Sequence, residues 1–342
     1  MDVEVLATEG QVMSATGIEA TRTRDVQPSG PGDADTRLVR GKRRRDRTDK
    51  LIPYWLSLPT LLIVVAIFGY PFVKMIIMSF QEKSAHNLFR DVGPTWAGLK
   101  NFREVFSDGR FWTITVRTVV FTVLVVVASV VLAMLVALML NHSSRWAKIL
   151  LTTVLMFVWS VPQIVSIQLF GWLTDPDFSV INWLLSKLGF NMIHHDWFRD
   201  PHQGLAVAGV VVIWGAIPFL AITLHAGMSM VPKELNEAAE IDGANAWRRF
   251  RAVTLPILRP LLVIITTLSV IWDIQVFNQI YLLRHQSPEE TYWTLAVYTR
   301  NVALGGGGNY FLGSAIGVIT VLLMLVVMIF YIRQIFRIGD YE

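Results

Sequence analysis

Long apolar blocks separated by short polar stretches set the pattern of this chain. Six blocks reach the roughly 20 residues a helix needs to cross a bilayer. They are Tyr54–Phe80, Ile114–Leu140, Ile149–Leu173, Leu205–Met230, Pro256–Leu283 and Phe311–Phe336. No alternating barrel-strand pattern occurs. Backbone polar groups inside hydrocarbon must be satisfied internally, so helices are the spanning elements. The pattern predicts an all-α transmembrane protein of six helices. Residues 1–50 form a polar leader, 51–110 the first span with an outer loop, and 111–337 a core of five further spans.

Composition sharpens this picture. The chain has 342 residues, 53% of them hydrophobic and 16% charged, against about 25% charged in a soluble chain. Mean hydropathy is +0.48. The absence of cysteine excludes a disulfide framework and a cysteine metal site. Net charge is +4 and the isoelectric point near 9.4. In a membrane protein such basic residues report topology, not nucleic-acid binding. Residues 1–50 are rich in Gly, Asp, Thr and Arg, which predicts a disordered basic terminus. They contain no short apolar stretch with a cleavage site, so a signal peptide is not expected. The run Arg40-Gly41-Lys42-Arg43-Arg44-Arg45-Asp46-Arg47 directly precedes the first span, as an inside anchor does. With the amino terminus inside, seventeen Lys and Arg residues from Arg37 onward lie on the inner side and nine on the outer. This orientation puts both termini, and the polar segment between the fourth and fifth spans, in the cytoplasm of a multi-pass cell-membrane protein.

That polar segment, Glu237–Pro260, is patterned. Pro232 suits a first helical turn, and Glu234 and Glu237 lie toward the positive end of the helix dipole. Leu235, Ala238 and Ala239 share one face; the alanines keep it thin, open to close approach by a partner. Gly243 suits a left-handed stop. A second short helix carries Trp247 and Phe250 among Arg248, Arg249 and Arg251, and Pro256 and Pro260 are expected to end it and start the fifth span. An amphipathic helix lying on anionic headgroups accounts for the arginines. It leaves the ordered combination of the other residues unexplained.

The series Glu237-Ala238-Ala239, Asp242-Gly243-Ala244, Phe250, Leu255-Pro256 and Pro260 resembles the "EAA" cytoplasmic loop of ABC-importer permeases. The similarity extends through most of the chain. Tyr70-Pro71 with Ser79-Phe80 resembles the first span of sugar-type permeases. Gly98-Leu99-Lys100-Asn101-Phe102, Asp108, Phe111-Trp112 and Arg117-Thr118 resemble the approach to their second span, with Arg117 where Asn is usual. Trp272 through Leu283 is similar to their "W-x-F-x-x-F-D-x-I-Y-x-L-T" run. There the usual Thr-Gly-Gly-Pro finish is replaced by Arg284-His285-Gln286-Ser287-Pro288. The resemblance is to the binding-protein-dependent carbohydrate importers of the maltose and glycerol-phosphate type. It implies a six-helix type I ABC importer permease with a cytoplasmic coupling helix, docked through Glu237 and its neighbours into an ATPase subunit. It implies a second homologous permease, two ATPase subunits, an extracytoplasmic solute-binding protein and membrane lipid as partners. The chain itself carries no cofactor; ATP-Mg belongs to the ATPase.

For the solute path, Trp272, Gln275, Val276 and Gln279 are expected on one helical face, flanked by Asp273 and Asn278. Trp159, Gln163 and Gln168 of the third span and Trp214 of the fourth offer the same chemistry: amides and carboxylate for sugar hydroxyls, aromatic rings for their C–H faces. Interhelical hydrogen bonding is the competing account of these polar residues. Pro162 and Pro218 are expected to break helices at mid-membrane depth. His194, His195, Asp196 and His202 share an outer loop but lack zinc-site spacing. No nucleophile elbow, HExxH or phosphate loop occurs, and Gly305–Gly308 reads as a linker; no catalytic residue is expected. A secondary transporter would need an ion relay, for which Asp273 is the sole acidic residue within a span. A membrane enzyme would need paired groups at one depth, and exporters lack this loop pattern.

Overall fold

The computed structural model describes residues 53–82, 93–306 and 308–339, with side chains to Gln334. The expected disorder of the first fifty residues, the basic Lys83 and Arg90, and Gly307 of the linker lie outside the described residues. The chain divides into two compact units, residues 1–67 and 68–342. In the first, residues 53–67 are helical with every side chain exposed. The apolar run Pro53–Ser79 crosses the boundary between the units.

Among its described residues the second unit is helices and connecting loops with one two-residue antiparallel pair. It opens with α1 (Tyr70–Ser79), β1 (Gln81–Glu82), β2 (Thr95–Trp96) and α2 (Lys100–Ser107). Next come α3 (Gly109–His142), α4 (Arg145–Ser160), α5 (Gln163–Leu173), α6 (Val180–Lys187) and α7 (Pro201–Ser229). The chain continues through α8 (Lys233–Ile241), α9 (Ala246–Asp273), α10 (Asn278–Leu283), α11 (Leu295–Leu304) and α12 (Tyr310–Gly339). Asp108 starts α3 by accepting the Arg110 amide, and Ser144 and Asp200 do the same for α4 and α7. No proline interrupts the 34 residues of α3, which rise about 51 Å. That exceeds the roughly 30 Å of hydrocarbon, so the helix overshoots the expected Ile114–Leu140 at its amino-terminal end.

Two spans depart from the continuous helices expected. The third is broken: α4 and α5 meet at 96°. Pro162 has no N–H and forces Val161 into an extended conformation (φ −66°, ψ 126°). Pro218, by contrast, does not break α7, which runs unbroken for 29 residues with Pro218 buried. Packing along α3 supports it through the missing bond. The fifth span also differs at both ends. Pro256 and Pro260 do not separate a loop helix from the span; α9 passes through both. A π-helical turn at Phe250–Thr254 loosens the ladder just before Pro256. At the other end α9 stops at Asp273, and Ile274–Phe277 is non-helical before α10. Trp272, Gln275, Val276 and Gln279 therefore do not share one face of one helix. The carbonyls freed by this break are satisfied by side chains: Thr122 donates to Asp273 O (3.4 Å) and Thr294 to Val276 O (3.0 Å). Irregular backbone persists at membrane depth only with such partners.

Small residues let α3, α7 and α9 approach. Ala133 and Ala137 of α3 pack on Leu220, Ala221, Leu224 and Met228 of α7 and on Leu258 and Ile265 of α9. A Cβ added at Gly227 would lie 2.4 Å from Leu261 Cδ2 of α9. Small-residue contacts of this kind are how helices associate in lipid. The spans are far from enclosed: only 17% of the most apolar window of Ala246–Asp273 is buried and 44% of that in Pro201–Ser229. Wide apolar faces remain for lipid or another chain.

Candidate functional site

The two breaks converge. Pro162 opens α5 and Phe277 opens α10, and Asn278 Nδ2 donates to Gln163 Oε1 across them at 2.9 Å. Beside this pair lies a cavity of about 360 Å³, within the roughly 300–1,000 Å³ of small-molecule pockets. Its polar wall is Gln163, Ser166, Asp273, Gln275, Asn278 and Gln279; its aromatic wall is Trp159, Trp214, Phe219 and Trp272. Phe219 stacks on Trp159 (centroids 6.3 Å) and leans on Trp272 (5.7 Å), and Phe170 meets Trp214 edge-on (5.6 Å). Asp273 is 6% exposed, and its Oδ2 has no partner among the described residues. A carboxylate oxygen, several amides and a row of rings around one space suit a solute carrying many hydroxyls and apolar C–H faces.

All seven residues expected along the path line this cavity: Gln163, Trp214, Trp272, Asp273, Gln275, Asn278 and Gln279. Trp159 joins them, whereas Gln168 is exposed and does not. The Asn278–Gln163 bond ties two walls of the space that both residues line, which is the interhelical bonding expected as the competing account. Gln275 likewise donates to Met324 Sδ (3.2 Å). Phe219 and Ser166 were missed. Phe219 lies one residue beyond Pro218, where the sequence marked a break instead of a ring.

At the far end of α9 the chain makes a projecting corner. Gly243 adopts φ +78°. Its amide donates to Glu240 O (3.0 Å) and the Ala244 amide to Ala239 O (2.9 Å), the Schellman closure of α8. Asn245 then caps α9 through the Arg248 amide (2.9 Å). Arg249 pairs with Glu240 across the corner. Glu237, Ala238, Asp242 and Gly243 are exposed, Ala239 and Ala244 half-buried. Ile241 is 87% exposed and Trp247 65%, so the corner offers apolar side chains outward. Phe250, stacked on Trp247 (5.7 Å), packs back against the α3–α7–α9 core. Leu255 is half-buried and Pro256 exposed.

Residues 129–338 match the family described as binding-protein-dependent transport system inner membrane component. The diacetylchitobiose uptake system permease DasB of Streptomyces coelicolor is 36% identical over 91% of this chain and 96% of its own. The trehalose/maltose permease MalF of Thermococcus litoralis is 31% identical, over 82% of this chain and 92% of its own. In fold, the chain superposes on a solved bacterial ABC transporter for alginate import with a TM-score of 0.72 at 22% identity, covering 88% of this chain and 99% of that one. The chain belongs to the family of binding-protein-dependent inner membrane permeases. It is an ABC-importer permease, and in such importers ATP hydrolysis resides on separate subunits.

Three further features of this permease lie at the end of the helices opposite the corner. Arg117, the departure from the resembled pattern, donates to Glu290 O (2.8 Å) and Trp293 O (3.1 Å). The neighbouring Thr118 accepts the Leu295 amide (2.9 Å) and so caps α11. The Arg284–Pro288 replacement ends α10 with His285 and Gln286, both at positive φ (50° and 64°). There the Arg284 guanidinium forks onto Glu289 and lies 4.8 Å from the Tyr292 ring and 5.4 Å from that of Phe198. The hydrogen bond from Arg284 holds the Glu289 carboxyl below the usual glutamate range. Finally, His194 meets Asp177 (3.0 Å) and His195 meets Gln203 (2.8 Å). Among the described residues no three His, Asp or Glu side chains converge as metal ligands do.

Proposed function

We propose that this permease imports a carbohydrate, a sugar, oligosaccharide or related polyol, through a path that it encloses with a second homologous permease. The cavity at the two broken spans carries this reading: its amides, the Asp273 carboxylate and the Trp159–Phe219–Trp272 row match a polyhydroxylated solute. Relatives named for diacetylchitobiose and for trehalose and maltose uptake support the same class. An extracytoplasmic binding protein delivers the solute, two ATPase subunits bind the cytoplasmic corners, and both termini lie inside. The corner residues Glu237, Ala238, Ala239, Asp242, Gly243, Ala244, Phe250, Leu255 and Pro256 are the coupling element. Helix α9 is the linkage: it begins in the corner and ends at Asp273 in the cavity wall, about 42 Å away. A corner seated in a closing ATPase dimer tilts this rod and shifts the population from inward-open to outward-open, because nucleotide stabilises one state over the other.

Uptake of a radiolabelled saccharide panel by cells expressing the full transporter tests this. Trp272→Ala is expected to lower uptake of one saccharide class while ATPase subunits stay bound; Glu237→Lys is expected to abolish uptake of every solute and loosen ATPase retention. Wild-type uptake in both variants refutes the assignment.

A further inference from the structure

A second groove, of about 540 Å³, lies between α3 and α7 and shares no lining residue with the cavity. Its α3 side is Val116, Val120 and Leu124, one stripe at four-residue spacing, 60%, 51% and 65% exposed. Its α7 side is Leu205, Ala206 and Gly209. The groove is apolar along its length and polar at one end, where Arg117 and His202 line it. From Arg117 to Leu124 the helix rises about 11 Å, most of one hydrocarbon leaflet.

Arg117 is the telling residue. It sits within the apolar span Gly109–His142 and is half-buried. Both its hydrogen bonds leave from Nη1 and go to neutral backbone carbonyls. Among the described residues it makes no ion pair. Glu290, whose carbonyl takes one of those bonds, brings the acidic group that acts on it at longer range. An unpaired cation in a span is costly and normally finds an anion. Among the described residues none lies within pairing distance, and the apolar stripe beside it is left exposed.

We propose that this groove binds an anionic phospholipid, with an acyl chain along Val116–Val120–Leu124 and the phosphate on Arg117 beside His202. The lipid phosphate completes the hydrogen bonding of Arg117 and packs the end of α3 against the turn at Glu290–Trp293. The inference rests on the chain spanning a membrane and not on which solute it carries.

The test is lipid retention by the full-length protein. Membranes with equal phosphatidylglycerol and phosphatidylcholine are extracted in mild detergent, and bound lipid is counted by native mass spectrometry. The wild type is expected to retain phosphatidylglycerol in preference. Arg117→Gln is expected to lose about tenfold in that retention, the worth of one charge-assisted hydrogen bond. Val120→Trp fills the exposed stripe and leaves Arg117 in place; it is expected to lose a similar factor without loss of folding. A photoreactive residue at position 120 is expected to label phospholipid. Equal retention of the two lipids, unchanged retention in Val120→Trp, or labelling of a second permease chain at position 120 overturns the proposal.

Discussion

Replacing Gly243 by valine tests the mechanical role proposed for the corner. Gly243 stands at φ +78°, and an added Cβ would meet nothing within 4 Å. The substitution therefore acts through the backbone alone. Left-handed backbone costs a residue with a side chain about 1–2 kcal/mol, with a β-branched one at the upper end. That lowers the population of the native corner by a factor of about 5–30. The Schellman bonds from Gly243 and Ala244 open together, and the Arg249–Glu240 pair is too exposed to restore them. The α3–α7–α9 core is untouched because the corner projects from it. In reconstituted transporter, solute-stimulated ATP hydrolysis and uptake are expected to fall about tenfold, while the thermal midpoint of the permease stays near the wild-type value. Gly243→Asn is expected to retain most activity, since asparagine tolerates this conformation. Wild-type transport in the valine variant refutes the reasoning. So do equal losses in valine and asparagine variants with a lowered thermal midpoint.

Three other outcomes follow from particular bonds. Thr118→Val strands the buried Leu295 amide, at about 1–3 kcal/mol; thermal unfolding of the purified protein should show a clear drop, and an unchanged midpoint removes the capping role. A double-mutant cycle of Gln163→Ala with Asn278→Ala is expected to give a coupling of about 0.6 kcal/mol, the usual worth of an interhelical hydrogen bond in membranes; zero coupling means the two breaks are not tied. Glu289 has a depressed folded-state pKa, so its contribution to stability is complete above the ordinary glutamate value of about 4.3 and fades as pH falls through the lower folded value. An acid titration of stability should therefore lose less in Glu289→Gln than in wild type below that pH, and parallel curves would contradict the Arg284 fork.

Much of the architecture was legible from spacing. Apolar block length located five helices long enough to cross a bilayer and the bent pair α4–α5, because hydrocarbon thickness sets helix length regardless of neighbours. Gly243 announced its own conformation, since only its missing side chain makes a left-handed closure cheap after Glu240-Ile241-Asp242. The seven residues expected along the path do line one cavity, but not for the reason their spacing suggested. Trp272, Gln275 and Gln279 meet around one space because the fifth span breaks at Ile274–Phe277, not because they share a helical face. Nothing local in Ile274-Gln275-Val276-Phe277 marks that break. It depends on Thr122 and Thr294, roughly 150 residues before and 18 after, which satisfy the freed carbonyls.

The prolines draw the same line. Each of Pro162, Pro218 and Pro256 removes one backbone donor, a property of the residue itself. Whether the helix then turns through 96°, continues unbroken or takes a π-helical turn depends on what packs against it. Sequence alone marked which segments are long and apolar enough to cross a membrane and where the corner bends, because solvent transfer and backbone sterics act residue by residue. Tertiary structure decided where spans break and which polar side chains meet, because a carbonyl released from a helix in lipid is tolerable only where another element brings it a donor.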